Sequence, residues 1–223
     1  MTATMQRWSM DALGRESLRL VQEPVPQPGS GEVRVRVNAV ALNYRDKMVI
    51  EGTMPIPLSF PFTPASDMAG VVDSIGEGVT RFKPGARVIS TFFPEWIDGK
   101  PQADARDLPY KTSGGYFQGM LAEYVIVSEN ALVASPESLD DAEASTLPCA
   151  GLTAWFALVE RGHLRAGQSV LVQGTGGVAL FALQIAKAHG AEVFVSSGSD
   201  EKLARAKKLG ASQGINRLKG DWA

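Results

Sequence analysis

The stretch Val170 to Ala179, VLVQGTGGVA, decides how this chain is read. An apolar strand runs straight into closely spaced glycines, and LFALQIAKAHG (Leu180 to Gly190) then follows with helical periodicity. A strand, a tight glycine turn and a helix predict a dinucleotide phosphate site over Gly174, Thr175, Gly176, Gly177 and Val178. Gly174 lets the chain turn, Gly176 lets backbone approach a pyrophosphate, and Gly177 with Ala179 lets the helix pack close to its strand. The phosphates would rest on the helix start, where unpaired N–H groups and the dipole favour anions. A purely structural turn also uses glycine. The context favours the cofactor reading: Ala191 to Val195 (AEVFV) forms a second apolar strand, Asp200 to Leu209 a second helix, and Ser212 to Asn216 the start of a third strand.

Working outward, the rhythm changes. Gly31 to Ala41 (GEVRVRVNAVA) alternates with period two, and Ala69 to Ile75 and Ala86 to Ser90 are further short strands. Pro24, Pro26, Pro28 and Gly29, then Gly76 and Gly78, then Pro84 and Gly85 punctuate them. Short strands broken by Gly and Pro predict a small antiparallel, barrel-like domain. A helix is expected over Leu139 to Glu160. The boundary falls near Ala150, giving a β domain over residues 1–150 and part of an α/β nucleotide-binding domain over 151–223.

Composition narrows the function. With 44% hydrophobic and 21% charged residues and a formal net charge of -2, there is no basic footprint for nucleic acid. The N-terminus, MTATMQRWSMDALG, lacks a basic region followed by an apolar core, and no apolar run approaches the ~18 residues of a membrane span. A cytoplasmic enzyme acting on a small molecule is the expectation. Cys149 is the single cysteine, which rules out an internal disulfide and any cysteine cluster for structural zinc.

Several stretches together resemble the medium-chain dehydrogenase/reductases: Ala41 to Asp46 (ALNYRD), Ala69 to Val88 (AGVVDSIGEGVTRFKPGARV), Phe117 to Val127 (FQGMLAEYVIV), Leu147 to Trp155 (LPCAGLTAW) and Val170 to Ala179. The resemblance covers nearly the whole chain and implies a GroES-like N-terminal domain followed by a Rossmann domain. Its wording is most similar to the zinc-free quinone and enone reductases. Members of the family are commonly homodimers, but through a sheet edge made of strands beyond Ala223, so a homodimer is one open possibility and the oligomeric state is left undecided.

The zinc alcohol dehydrogenases of that family carry a Cys, a His-Glu pair and a Cys at the positions of Asn43, Ser66, Asp67 and Cys149. Only the last Cys remains. A catalytic zinc needs about three protein ligands and an open position, so no zinc is expected. Asp67 is read as a hydrogen-bonding structural residue and Cys149 as a small packing residue. The family's four-cysteine lobe would fall near Phe92 to Tyr116, which holds no cysteine and reads as a long polar loop. Without a metal electrophile, hydride delivery to an already polarised alkene or quinone is the less demanding reaction. The resemblance implies that Asn43 and Tyr44 face nicotinamide and substrate, that Asp46 fixes their loop, and that Thr153 lies near the nicotinamide ring. Tyr44 could donate a proton to an enolate, although an aromatic at a strand end also serves as core.

Cofactor choice is read at the end of the second nucleotide-binding strand. NAD enzymes carry an acid there for the ribose 2'-hydroxyl; this chain has Ser197. That leaves room for a 2'-phosphate, with Lys202 one turn into the next helix, and favours NADPH over NADH. Asp200 and Glu201 add opposing charge, and Ser199 capping the helix with Lys202 merely solvated is the bland reading. His163 and His189 have no readable partner and receive no role. A doubly wound domain has about six parallel strands, of which only the first few fit before Ala223. The chain therefore reads as a fragment or a natural truncation, with negligible turnover expected of it alone. Three functions remain open: a zinc-independent NADPH reductase of quinones or α,β-unsaturated carbonyls, an alcohol dehydrogenase with a rebuilt metal site, or a non-catalytic nucleotide-binding or structural protein.

Overall fold

The computed structural model describes residues 3–99 and 111–219. The chain divides into two compact units, Met1–Cys149 and Ala150–Ala223.

In the first unit, β3 (Glu32–Ala41), β4 (Asp67–Ile75), β5 (Arg87–Ser90), β6 (Tyr124–Ser128) and β7 (Leu132–Ala134) form one antiparallel sheet in the order β6-β3-β4-β5-β7. Alternation along β3 sends Val33 and Val35 inward, where they are fully buried with Met68, Val72, Val88 and Leu132. Arg34 and Arg36 take the other face, and Arg34 pairs with Asp73 at 2.6 Å. Strand propensity and a half-buried face thus agree along β3. A separate hairpin joins β1 (Thr4–Met10) to β2 (Leu18–Pro24). Its ends are tied to the rest of the unit by isolated bridges from Arg7 to Ala122 and from Met10 to Phe62.

One short helix was not expected. Tyr44–Ile50 forms α1, and Asp46 at its third position accepts a hydrogen bond from the Asn43 N–H at 2.7 Å. This satisfies one of the backbone donors that precede a helix. Tyr44 therefore opens a helix rather than ending a strand, and at 73% exposure it is not core.

The helix expected over Leu139 to Glu160 is broken. Asp141–Ala144 forms α2, capped by Asp140, which accepts from the Glu143 N–H at 2.8 Å. Leu147–Gly151 and Phe156–Arg161 are wound with wide π-helical turns on either side of α3 (Leu152–Trp155). Pro148 lies in the first wide turn; it has no N–H to give to a regular ladder, which accounts for the break there.

The second unit is a parallel sheet in the order β10-β9-β8, made of β8 (Ser169–Gln173), β9 (Glu192–Ser197) and β10 (Gln213–Asn216). Crossover helices α4 (Gly177–Ala188) and α5 (Asp200–Lys208) link them. Leu183 and Ala186 of α4 and Leu203 and Ala206 of α5 are buried with Val172, Val193 and Val195. At about 25 cal/mol per Å² of apolar area, each large side chain here contributes on the order of 2 kcal/mol. Among the described residues, no helix is long and apolar enough to cross a membrane.

Candidate functional site

In the first unit three elements meet at Asp67, the fully buried first residue of β4. Its Oδ2 accepts from Asn43 Nδ2 at 3.1 Å and from the Cys149 N–H at 2.9 Å, and its Oδ1 accepts from Ser66 Oγ at 2.6 Å. Asn43 comes from the start of α1, Ser66 from the residue before β4, and Cys149 from the wide turn after α2. Burial pushes the Asp67 carboxyl above its ordinary pKa, while the bonds from Ser66, Asn43 and the Cys149 N–H pull the other way, as does Arg45.

These are the positions that would supply a catalytic zinc. The carboxylate that could ligate has both oxygens committed to hydrogen bonds, and an amide and a hydroxyl replace the thiolate and imidazole. Among the described residues no group of three His, Cys, Asp or Glu side chains could hold a metal. The donor set does not fit a catalytic zinc.

Arg45 lies beside this hub. Its Nη1 donates to the carbonyls of Ser113 and Gly114 at 3.3 and 3.1 Å, its Nη2 donates to Thr112 Oγ1, and its guanidinium covers the Phe92 ring at 5.0 Å. Burial lowers its pKa, opposed by the nearby Asp46, Cys149 and Asp67. Asp46 is 3% exposed, and burial pushes its carboxyl up to about 6, against the pull of the Asn43 N–H.

A carboxyl whose folded-state pKa is raised favours folding while protonated. That contribution is complete below the unfolded value near 4 and is lost as pH rises through about 6. Asp46→Asn keeps an oxygen for the Asn43 N–H and removes the titration. Relative to this variant, the unmodified protein is expected to lose on the order of 3 kcal/mol of unfolding free energy between pH 4 and pH 7. Urea titrations at both pH values measure it; a difference that stays flat would remove Asp46 as the cause.

In the second unit the glycine turn follows β8 as expected. Gly174 takes φ 98°, a conformation that L side chains rarely adopt, and its N–H bonds the Ser196 carbonyl at 2.9 Å. Gly176 is the N-cap of α4, and no side chain caps the helix. A Cβ at Gly176 would meet nothing within 4 Å. Open space over an uncapped helix start, reached by an extended backbone, suits a phosphate group. Gly177 plays a lesser part than expected, since a Cβ there would lie at an ordinary 3.6 Å from Ala150 Cβ and close packing does not require it to be glycine.

Thr175 is half-buried and Val178 is 42% exposed on the first turn of α4. Ser197 ends β9 directly beside the turn, because Gln173 pairs with Ser196. Thr153 is exposed on α3. Lys202 is exposed in the first turn of α5, its N–H donating to Ser199 Oγ at 3.4 Å. Gly174 to Val178 and Ser197 are thus brought together in the second unit. Asn43 and Tyr44 belong to the first, where Asn43 joins the Asp67 hub and Tyr44 stands in solvent with Lys47 Nζ 5.4 Å from its ring centre. Sequence reasoning missed the hub's connectivity and Arg45; the Asn43-x-x-Asp46 spacing was the readable signal for α1. Lys100 to Tyr110 of the expected polar loop lie outside the described residues.

Comparison with known proteins adds the lineage. The profile described as alcohol dehydrogenase GroES-like domain matches residues 29–137, and that described as zinc-binding dehydrogenase matches 177–223. A zinc-type alcohol dehydrogenase-like protein of Schizosaccharomyces pombe is 43% identical over 94% of this chain and 61% of its own length. A quinone oxidoreductase of Rattus norvegicus is 34% identical over 94% of this chain and 57% of its own length. A crystal structure of a candidate alcohol dehydrogenase from Sinorhizobium meliloti superposes with a TM-score of 0.96 at 60% identity, over 100% of this chain and 65% of that one. The chain thus spans about three fifths of the length of these relatives. With a GroES-like β unit, a Rossmann-type β-α-β unit and matches of this extent on both, the chain belongs to the medium-chain dehydrogenase/reductase family of oxidoreductases.

Proposed function

We propose that this chain serves a zinc-independent, NADPH-dependent oxidoreductase that reduces a quinone or an α,β-unsaturated carbonyl. The observation that carries the reading is the Asp67 hub. Both carboxylate oxygens are occupied by hydrogen bonds from the residues standing at the family's metal positions, so the electrophile that alcohol oxidation relies on has no ligand set here. Similarity to quinone oxidoreductases supports the same substrate class.

NADPH, when bound, supplies the hydride. The turn from Gly174 to Val178 is assigned to its pyrophosphate, because the open helix start and the bare Gly176 suit an anion. Thr153 is assigned to the nicotinamide half by resemblance. Asn43 is held by Asp67 through its side chain and by Asp46 through its N–H, so its amide is fixed before any ligand arrives. Reduction of an enone or a quinone leaves an anion that needs a proton. Tyr44, a phenol exposed at the start of α1, is the side chain assigned to give it.

The test joins two measurements on the full-length protein. NADPH oxidation should be driven by quinones or enones and not replaced by alcohol oxidation, and elemental analysis after dialysis against a weak chelator should find no stoichiometric zinc. The names of several relatives favour an alcohol dehydrogenase as the second reading. About one zinc per chain together with alcohol-dependent reduction of the oxidised cofactor would establish that reading instead, and absence of any turnover would leave a nucleotide-binding protein.

A further inference from the structure

The turn from Thr112 to Gly115 is buried along its whole length, and its two glycines answer to what lies against them. Gly114 takes φ 60°, and a Cβ on it would come within 2.5 Å of the Ala65 carbonyl and 2.9 Å of the Ser66 nitrogen, in the peptide that leads into Asp67. A Cβ on Gly115 would collide with Arg45 Nη2 and stand 2.5 Å from Thr112 Oγ1. The turn is thus wedged between the Arg45 guanidinium and the backbone of the hub. Bonds from Arg45 to Thr112 Oγ1 and to the Ser113 and Gly114 carbonyls hold it there.

Both ends of this arrangement carry aromatic rings. The Ser113 N–H donates to the Phe92 carbonyl at 3.2 Å, and Phe92, whose ring Arg45 covers, meets Phe93 edge to face at 4.9 Å. Phe93 in turn meets Trp96 at 5.8 Å. On the other side of the turn the Phe117 N–H donates to the Thr112 carbonyl at 3.1 Å, and Tyr116 lies edge to face with Phe117 at 5.1 Å. Trp96 and Tyr116 are 39% and 41% exposed. Two aromatic groups with rings open to solvent are therefore tied, through one guanidinium, to the residue that follows Tyr44 in α1.

We propose that Arg45 is a positioning residue that sets the choice of acceptor: by holding these rings near the helix start that bears Tyr44, it favours flat aromatic quinones over small acyclic enones. The inference rests on the reductase reading above and narrows it. A flat quinone gains from aromatic neighbours only in offset or edge-to-face geometry, and transfer to it tolerates little misplacement. An acyclic enone presents no ring to such neighbours and loses less when they move.

Steady-state turnover of the full-length protein with 1,4-naphthoquinone and with pent-3-en-2-one tests this, with scanning calorimetry of each variant as the control for folding. Arg45→Ala should lower the quinone-to-enone ratio of kcat/KM about ten-fold, mainly through a higher quinone KM. Gly115→Ala keeps the charge but places a methyl group where Nη2 lies, and should shift the ratio in the same direction. The double variant Arg45→Ala/Gly115→Ala should shift it no further than Arg45→Ala alone, because both changes break one contact. Arg45→Lys, which keeps the charge without the planar fork, should fall between Arg45→Ala and the unmodified protein. An unchanged ratio in folded Arg45→Ala and Gly115→Ala overturns the assignment while the reductase reading stands. Equal losses with both acceptors, or loss of cooperative unfolding in every variant, make Arg45 a scaffold of the fold and overturn it as well. An unmodified protein that reduces neither compound overturns the reductase reading and the Arg45 assignment together.

Discussion

Asp67→Ala is expected to lower the thermal midpoint of the protein by about 6 to 12 °C, the equivalent of about 3 kcal/mol for a chain of this size. The change strands three donors at once: Asn43 Nδ2, Ser66 Oγ and the Cys149 N–H. A buried donor left without an acceptor costs about 1 to 3 kcal/mol; Ser66 Oγ is fully buried while Asn43 Nδ2 and the Cys149 N–H are half-buried and lose less, and removal of a carboxyl disfavoured by desolvation offsets part of the sum. Asp67→Asn keeps the volume and one acceptor oxygen and should cost less than half as much. Scanning calorimetry on the two variants measures both. A midpoint for Asp67→Ala within about 2 °C of the unmodified protein would mean that the hub is not a structural centre of the unit.

The second large effect is on binding, with the fold left alone. Gly176 has φ -83° and ψ -176°, an extended backbone that any residue adopts, and its missing Cβ faces nothing within 4 Å. Gly176→Val should therefore cost no more than about 1 kcal/mol, the usual difference between glycine and an aliphatic residue at a helix N-cap. Its branched side chain would nevertheless fill the space above the helix start, and NADPH affinity should fall by about 100-fold or more, since pyrophosphate and side chain cannot share that volume. Gly174→Val makes the useful contrast: with φ 98° it strains the backbone itself and should destabilise the unit whether or not nucleotide is present. Calorimetry beside a binding titration separates these two cases. Unchanged NADPH binding by Gly176→Val would show that the turn does not hold phosphate.

The nucleotide-binding unit was legible because each of its parts has a local cause. Two apolar strand runs, a glycine at positive φ and a helical repeat are all written within short windows, and β8, α4, β9 and α5 appear within a few residues of their expected bounds. The hairpin of β1 and β2 carried no such signal. Its burial pattern is irregular, with Met5, Ser9 and Met10 inside and much of β2 exposed, so period-two reading passes over it. The break after α2 followed from one proline against a long apolar run that reads as a single helix. The hub could not be derived from spacing at all, because Asn43, Ser66, Asp67 and Cys149 meet only after three distant segments fold together. The residue types did show that zinc ligands were missing. They did not show that one carboxylate would gather the replacements.

Arg45 holds Phe92 through its ring face and Thr112, Ser113 and Gly114 through hydrogen bonds. One guanidinium thus grips both ends of the polar stretch between them. Loss of this one side chain would therefore free Phe92 and the Thr112 to Gly114 backbone together, so that two places far apart from Arg45 in sequence depend on a single residue at the start of α1.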